Sequence, residues 1–149
     1  MNRVAPSRPG LVAGALFTIL AAWGCSSPTS SCGDVHPSLG EWSYQATRES
    51  GVHGTISGSL VIESRDCTDL HGVIDVVEVL ATGESRRLAG PVSGTVVDST
   101  LVRFEAVLGL ERREHLARIT GDSIAGNWVE ISGGAAGSGP FGGRRQEAR

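Results

Sequence analysis

Lysine is missing from this chain. All thirteen basic residues are arginine, set against sixteen acids, and the formal charge at neutral pH is −3. Residues 1–24 carry Arg3 and Arg8 and no acid, so without them −3 becomes −5. An acidic domain lacks the basic face that phosphate neutralisation needs, which argues against a nucleic-acid partner. Aromatic side chains are scarce at 5%, and after residue 24 only Trp42, Tyr44, Phe104, Trp128 and Phe141 remain. Five rings cannot furnish the two aromatic girdles of a transmembrane barrel, and the chain ends in Gln146-Glu147-Ala148-Arg149 rather than on an aromatic. Long apolar runs are absent beyond residues 11–23, and no long stretch with a 3.6-residue period follows. There is also no phosphate loop, no spaced His/Cys set and no Ser-His-Asp arrangement. His36, His53, His71 and His115 read as solvated groups on loops and an outer strand face, and Asp66 and Asp69 as turn residues. The expectation is a protein that is not an enzyme and carries no metal or cofactor.

What is there begins with an export signal. Arg3 and Arg8 precede the uncharged run at 11–23, which is short for a bilayer span and ends in small residues. Cysteine is sparse too, with Cys25, Cys32 and Cys67 making an odd number. An odd count is awkward outside the cell unless one cysteine is otherwise engaged; two can then pair, as Cys32 with Cys67, or stay as thiols. Two cysteines far apart, without histidine at ligand spacing, make a poor zinc cage. Residues 26–39 are rich in Ser and Pro without apolar periodicity and read as a tether.

From residue 40 the chain alternates with period two. Ile56, Gly58, Leu60 and Ile62 share one face of the stretch Thr55 to Glu63, the mark of a half-buried antiparallel strand. Trp42, Tyr44 and Ala46 do the same before it; Leu70, Gly72, Ile74 and Val76 after it, with a β-bulge expected at Val77-Glu78-Val79. Leu88, Gly90, Val92, Gly94 and Val96 line a fourth strand, where Pro91 suggests an edge or a bulge. Val102, Phe104, Ala106 and Leu108 line a fifth. Glu111-Arg112-Arg113-Glu114 reads as a solvated, mixed-sign turn, and Glu114 to Thr120 as a sixth strand that needs a bulge to bring Leu116 and Ile119 together. Ile124, Gly126 and Trp128 line the seventh, and Ser138 to Arg145 forms the eighth. The fold class is therefore all-β: an up-and-down antiparallel meander of about eight strands, closed or nearly closed into a small barrel over residues 40–145, followed by a polar tail at 146–149. The inner glycines either permit sharp coiling or leave room inside.

Two resemblances can be stated on these residues. Ala22-Trp23-Gly24-Cys25 resembles the lipobox of bacterial lipoproteins, with Ala22 in place of the usual Leu or Val; Ala22-x-Gly24 also fits ordinary signal cleavage. The resemblance implies removal of residues 1–24, lipidation of Cys25, a lipid-anchored tether at 25–39 and, with Ser26 rather than Asp following, the outer membrane. Gly40-x-Trp42 resembles the opening motif of the lipocalins, and Ile124-x-Gly-x-Trp128 is similar in style to avidin-type barrels. In lipocalins an arginine after the last strand packs across the first-strand Trp, a barrel-closing role that falls to Arg144 or Arg145. The family implies a small apolar ligand, for which Trp42, Tyr44, Phe104, Trp128 and Phe141 are the candidate lining. The alternative is a solidly packed barrel that binds a protein of the envelope, as inhibitor or structural accessory.

Overall fold

The computed structural model describes residues 36–64, 67–132 and 137–147. Eight strands follow one another: β1 (Gly40–Arg48), β2 (Gly54–Ser64), β3 (Asp69–Leu80), β4 (Ser85–Val96), β5 (Leu101–Leu108), β6 (Glu111–Thr120), β7 (Ser123–Glu130) and β8 (Ser138–Arg144). Each pairs antiparallel with the next and β8 returns to β1, so the sheet closes as an up-and-down barrel.

The period-two rows become the lining. Ile56, Leu60, Ile74, Val92, Phe104 and Ile124 are all buried. Close backbone approach explains the inner glycines: a Cβ on Gly72 would lie 1.8 Å from the Val61 carbonyl oxygen, and one on Gly90 1.8 Å from that of Val107. Glycine there lets strands coil tightly rather than leaving space inside.

Three expectations about register are corrected. β3 runs unbroken against β2 and β4 through Val77, Glu78 and Val79, with no bulge; Glu78 simply takes the next inward position. β6 likewise needs no bulge, because Leu116 faces out, half exposed, while Arg113, His115, Ala117 and Ile119 share the inner row. The Glu111 to Glu114 stretch is therefore strand, not a solvated turn; the turn is Gly109-Leu110, with Gly109 at φ 68°. Pro91 points outward just before the β4–β5 ladder, which ends at the pair Val92 and Ala106.

The barrel has two unlike ends. At the basal end, residues 36–39, read as tether, instead fold across the opening: His36 Nε2 donates to the Asp98 carbonyl (3.0 Å), and Ser38 is buried. Trp42 donates from Nε1 to the Ser38 carbonyl at 2.8 Å, and the Arg145 guanidinium lies 4.4 Å from the Trp42 ring centre while bonding the carbonyls of Pro37 and Leu39. Gly40 sits at φ 126°, and a Cβ there would come within 2.8 Å of Arg145 Nη1, which gives the Gly-x-Trp pairing a steric reason. The distal end carries the turns after β1, β3, β5 and β7.

Candidate functional site

The distal end is plugged by charge. Inward positions at the ends of five strands place Arg48 on β1, Glu78 on β3, Arg86 on β4, Glu111 and Arg113 on β6 and Glu130 on β7. Glu78 is 0% exposed and its carboxylate accepts from Arg48 Nε (2.8 Å), Arg86 Nη2 (2.6 Å) and Arg113 Nη2 (3.1 Å). Glu111 bridges Arg86 (2.5 Å) and Arg113 (2.8 Å), and Glu130 takes Arg48 at 3.3 Å. Burial pushes the Glu78 carboxyl up, but the Arg48 hydrogen bond, the Arg113 charge and the Arg86 hydrogen bond together hold it below the ordinary carboxylate value. Trp128 forms one wall, its ring centre 4.7 Å from the Arg113 guanidinium and 5.2 Å from that of Arg48, with Nε1 donating to the Thr47 carbonyl. One donor is left over. Arg113 Nε is buried and has no acceptor among the described residues, a deficit that the Trp128 ring face offsets only weakly.

Directly beneath lies a ring cluster. His115 stacks on Phe104 (centroids 4.5 Å, interplanar angle 8°) and meets Phe141 edge-on at 5.1 Å, while Tyr44 stacks on Phe141 at 5.4 Å. His115 was expected on an outer face; it is fully buried, because β6 inward positions run back by twos from Ile119. Its Nδ1 lies 3.2 Å from the Arg113 carbonyl, which can only accept, so Nδ1 carries the proton and Nε2 accepts from the Tyr44 hydroxyl at 3.0 Å. Burial, reinforced by the Arg113 charge and opposed by the Arg113 carbonyl, pulls the His115 pKa down to about 3. Burial likewise raises the Tyr44 pKa. This is a neutral pair.

A stability profile follows from it. The unfolded chain protonates this histidine near pH 6.5, whereas the folded chain does so only near 3. The unfolded state therefore binds more protons through that window, and stability, complete above about pH 6.5, falls as pH drops. Between pH 6.5 and 4.5 the loss is expected to be about 2–3 kcal/mol, read as a fall in urea midpoint. In a His115→Gln variant the slope above pH 4.5 should flatten; an unchanged slope would assign it to other groups.

The five aromatic candidates thus stand at three levels: Trp42 at the basal end, Tyr44, Phe104 and Phe141 in the middle, Trp128 in the distal wall. Of the two closing candidates, Arg145 lies over Trp42 and Arg144 faces out. Cys25 and Cys32 lie outside the described residues; Cys67 belongs to the turn between β2 and β3. Sequence reasoning passed over Arg48, Glu78, Arg86 and Arg113, although strict counting by twos along each strand places all of them inside. Among the described residues, no group of His, Cys, Asp and Glu could hold a metal ion.

No protein-family model matches the chain, and no curated protein matches its sequence. Solved structures do. EF1p2_mFAP2b bound to DFHBI aligns at 15% identity over 72% of this chain and 93% of its own, with a TM-score of 0.57. A redesigned β-barrel, mFAP1, bound to DFHBI, aligns at 16% identity over 72% and 94%, also at 0.57. A fluorescence-activating β-barrel designed de novo aligns at 24% identity over 72% and 93%, with a TM-score of 0.51. At such identities the likeness is one of fold, and the fold is a closed eight-stranded antiparallel barrel.

Proposed function

We propose that this chain is an exported envelope protein, anchored through lipid on Cys25, whose barrel binds a small molecule at its distal end without catalysing a reaction. The observation that carries the binding reading is the buried Arg113 Nε, without an acceptor among the described residues and set in a built polar site. Designed barrels of similar fold bound to DFHBI support it as precedent for this architecture. The site differs in place from a deep apolar cavity, because the chain's own rings occupy the middle of the axis. A Cys32–Cys67 disulfide fits the basal end: the β4–β5 connection takes the His36 ring at Asp98, four residues after Cys32, and Val96 donates to the carbonyl of Thr68, next to Cys67. Such a bridge would hold the basal end toward an outer-membrane anchor and turn the plug away from the lipid.

A second reading, a packed module that binds an envelope protein, is favoured by the distal rim. Leu110 is 97% exposed there and Ile131 about half exposed, linked through Ser132, which donates to the Leu110 carbonyl.

Intact-mass analysis of the protein purified from its native envelope, without denaturation, tests these statements together. Expected are an acyl mass on Cys25, a gain of roughly two daltons on reduction, and a non-covalent small-molecule adduct. Protein co-purifying in place of any adduct would favour the second reading, and the bare chain would sink the first.

A further inference from the structure

Resting on that binding reading, we infer that the distal site takes an uncharged molecule with an apolar body and one acceptor oxygen, a ketone, ester or amide carbonyl, which docks on Arg113 Nε beneath the Arg86–Glu111 ion pair. Three independent observations converge on it.

The first is charge. Arg48, Arg86 and Arg113 are matched one for one by Glu78, Glu111 and Glu130, with every carboxylate engaged by an arginine. A net charge brought into this neutral cluster would lose its hydration and find no free counter-charge. An uncharged oxygen loses less and meets Arg113 Nε, the buried side-chain donor without an acceptor among the described residues, on a side chain that is 1% exposed.

The second is access. The β4–β5 ladder stops at Val92 and Ala106, and β5 ends at Leu108, while β4 continues back to Ser85. The wall is therefore lowest beside Arg86. What crosses that notch is the Arg86–Glu111 pair, and these two are the plug's more exposed members, at 35% and 19%. Glu78, Arg113 and Arg48 behind them are buried. Of the plug's ion pairs this one is the least buried, and opening it leaves Arg86 on Glu78 and Glu111 on Arg113, so it can part while the buried set stays paired.

The third is the lining next to the notch. Leu80 and Leu88 occupy inward positions on β3 and β4 beside Glu78 and Arg86, each only partly buried, and Leu88 packs on the core. They offer apolar surface to the body of the ligand.

The test uses two dyes on the full mature domain: Nile red, uncharged with a ring carbonyl, and 1-anilinonaphthalene-8-sulfonate, of similar apolar area but anionic. Nile red is expected to bind saturably and the sulfonate about tenfold or more weakly. Arg113→Lys keeps the positive charge and removes Nε, and should weaken Nile red by about tenfold or more, the loss of one charge-assisted hydrogen bond. Because that variant can fail to fold, the unaltered protein provides a second measurement: one buried arginine Nε–H signal in a 15N spectrum should move as Nile red is added. Equal binding of both dyes, undiminished Nile red binding by folded Arg113→Lys, or an unmoved Nε–H signal would overturn the assignment while leaving small-molecule binding standing. Binding of neither dye to the unaltered protein would overturn both.

Discussion

Replacing Glu78 by Gln is expected to lower the unfolding free energy by about 3–5 kcal/mol, the largest single-site effect in the distal half of the barrel. The change removes little volume, so the loss is electrostatic. In the native protein the carboxylate lies at the meeting point of Arg48, Arg86 and Arg113 and is fully buried. With an amide in its place, two carboxylates remain for three guanidinium groups, and the amide NH2 points a donor at a donor. Arg113, the least exposed of the three, must then share Glu111 with Arg86, and the buried cluster carries one positive charge in excess. The exposed pair between Arg87 and Asp75 has the same chemistry in solvent, so Asp75→Asn should leave the urea midpoint close to that of the parent. Urea titrations of both variants at pH 7 make the comparison. A loss below about 1 kcal/mol for Glu78→Gln would mean that water relaxes into the plug and screens the excess charge that burial otherwise makes costly. Removing Arg113 as well, in a Glu78→Gln/Arg113→Met double variant, should recover part of the loss, because charge balance returns.

That network was hidden in the sequence for the reason that makes it consequential. Alternation of apolar and other residues locates a strand's buried face only while the buried residues are apolar. Trp42, Ile56, Leu60, Val92 and Phe104 obey the rule, so the strands, their faces and the barrel were legible. Glu78 between two valines inverts the pattern, and a bulge is the natural reading of an inversion. On β6, Arg113 and His115 stand on the inner row while Leu116 stands on the outer, so hydrophobicity alone selects the wrong face. Position would have corrected it: counting by twos back from Ile119 reaches His115, Arg113 and Glu111 without interruption. Residues 36–39 escaped for another reason. Their Ser/Pro composition carries no period, and their place is set by single contacts, Ser38 to Trp42 and Pro37 and Leu39 to Arg145, that only the closed barrel brings together.

Those contacts make Trp42 the counterpart of Glu78 at the basal end, and Trp42→Ala should cost about 3–5 kcal/mol. Part of that is the cavity left by a ring that is wholly buried. The rest is what the ring organises: its Nε1 donates to the carbonyl of Ser38, itself buried, and its face carries the Arg145 guanidinium that ties down Pro37 and Leu39. Alanine leaves the Ser38 carbonyl unpaired and Arg145 without its platform, so residues 36–39 and the end of the chain should loosen together. Trp42→Phe separates the contributions. It keeps a ring for Arg145 but no donor for Ser38, and so should cost less than alanine does. Denaturant titration reads the total, and proteolytic cleavage near residues 36–39 reads the local part. A near-neutral alanine variant, or one that loses stability with no gain in cleavage there, would show that the basal closure stands without this ring; the steric fit of Gly40 against Arg145 would then be what holds it.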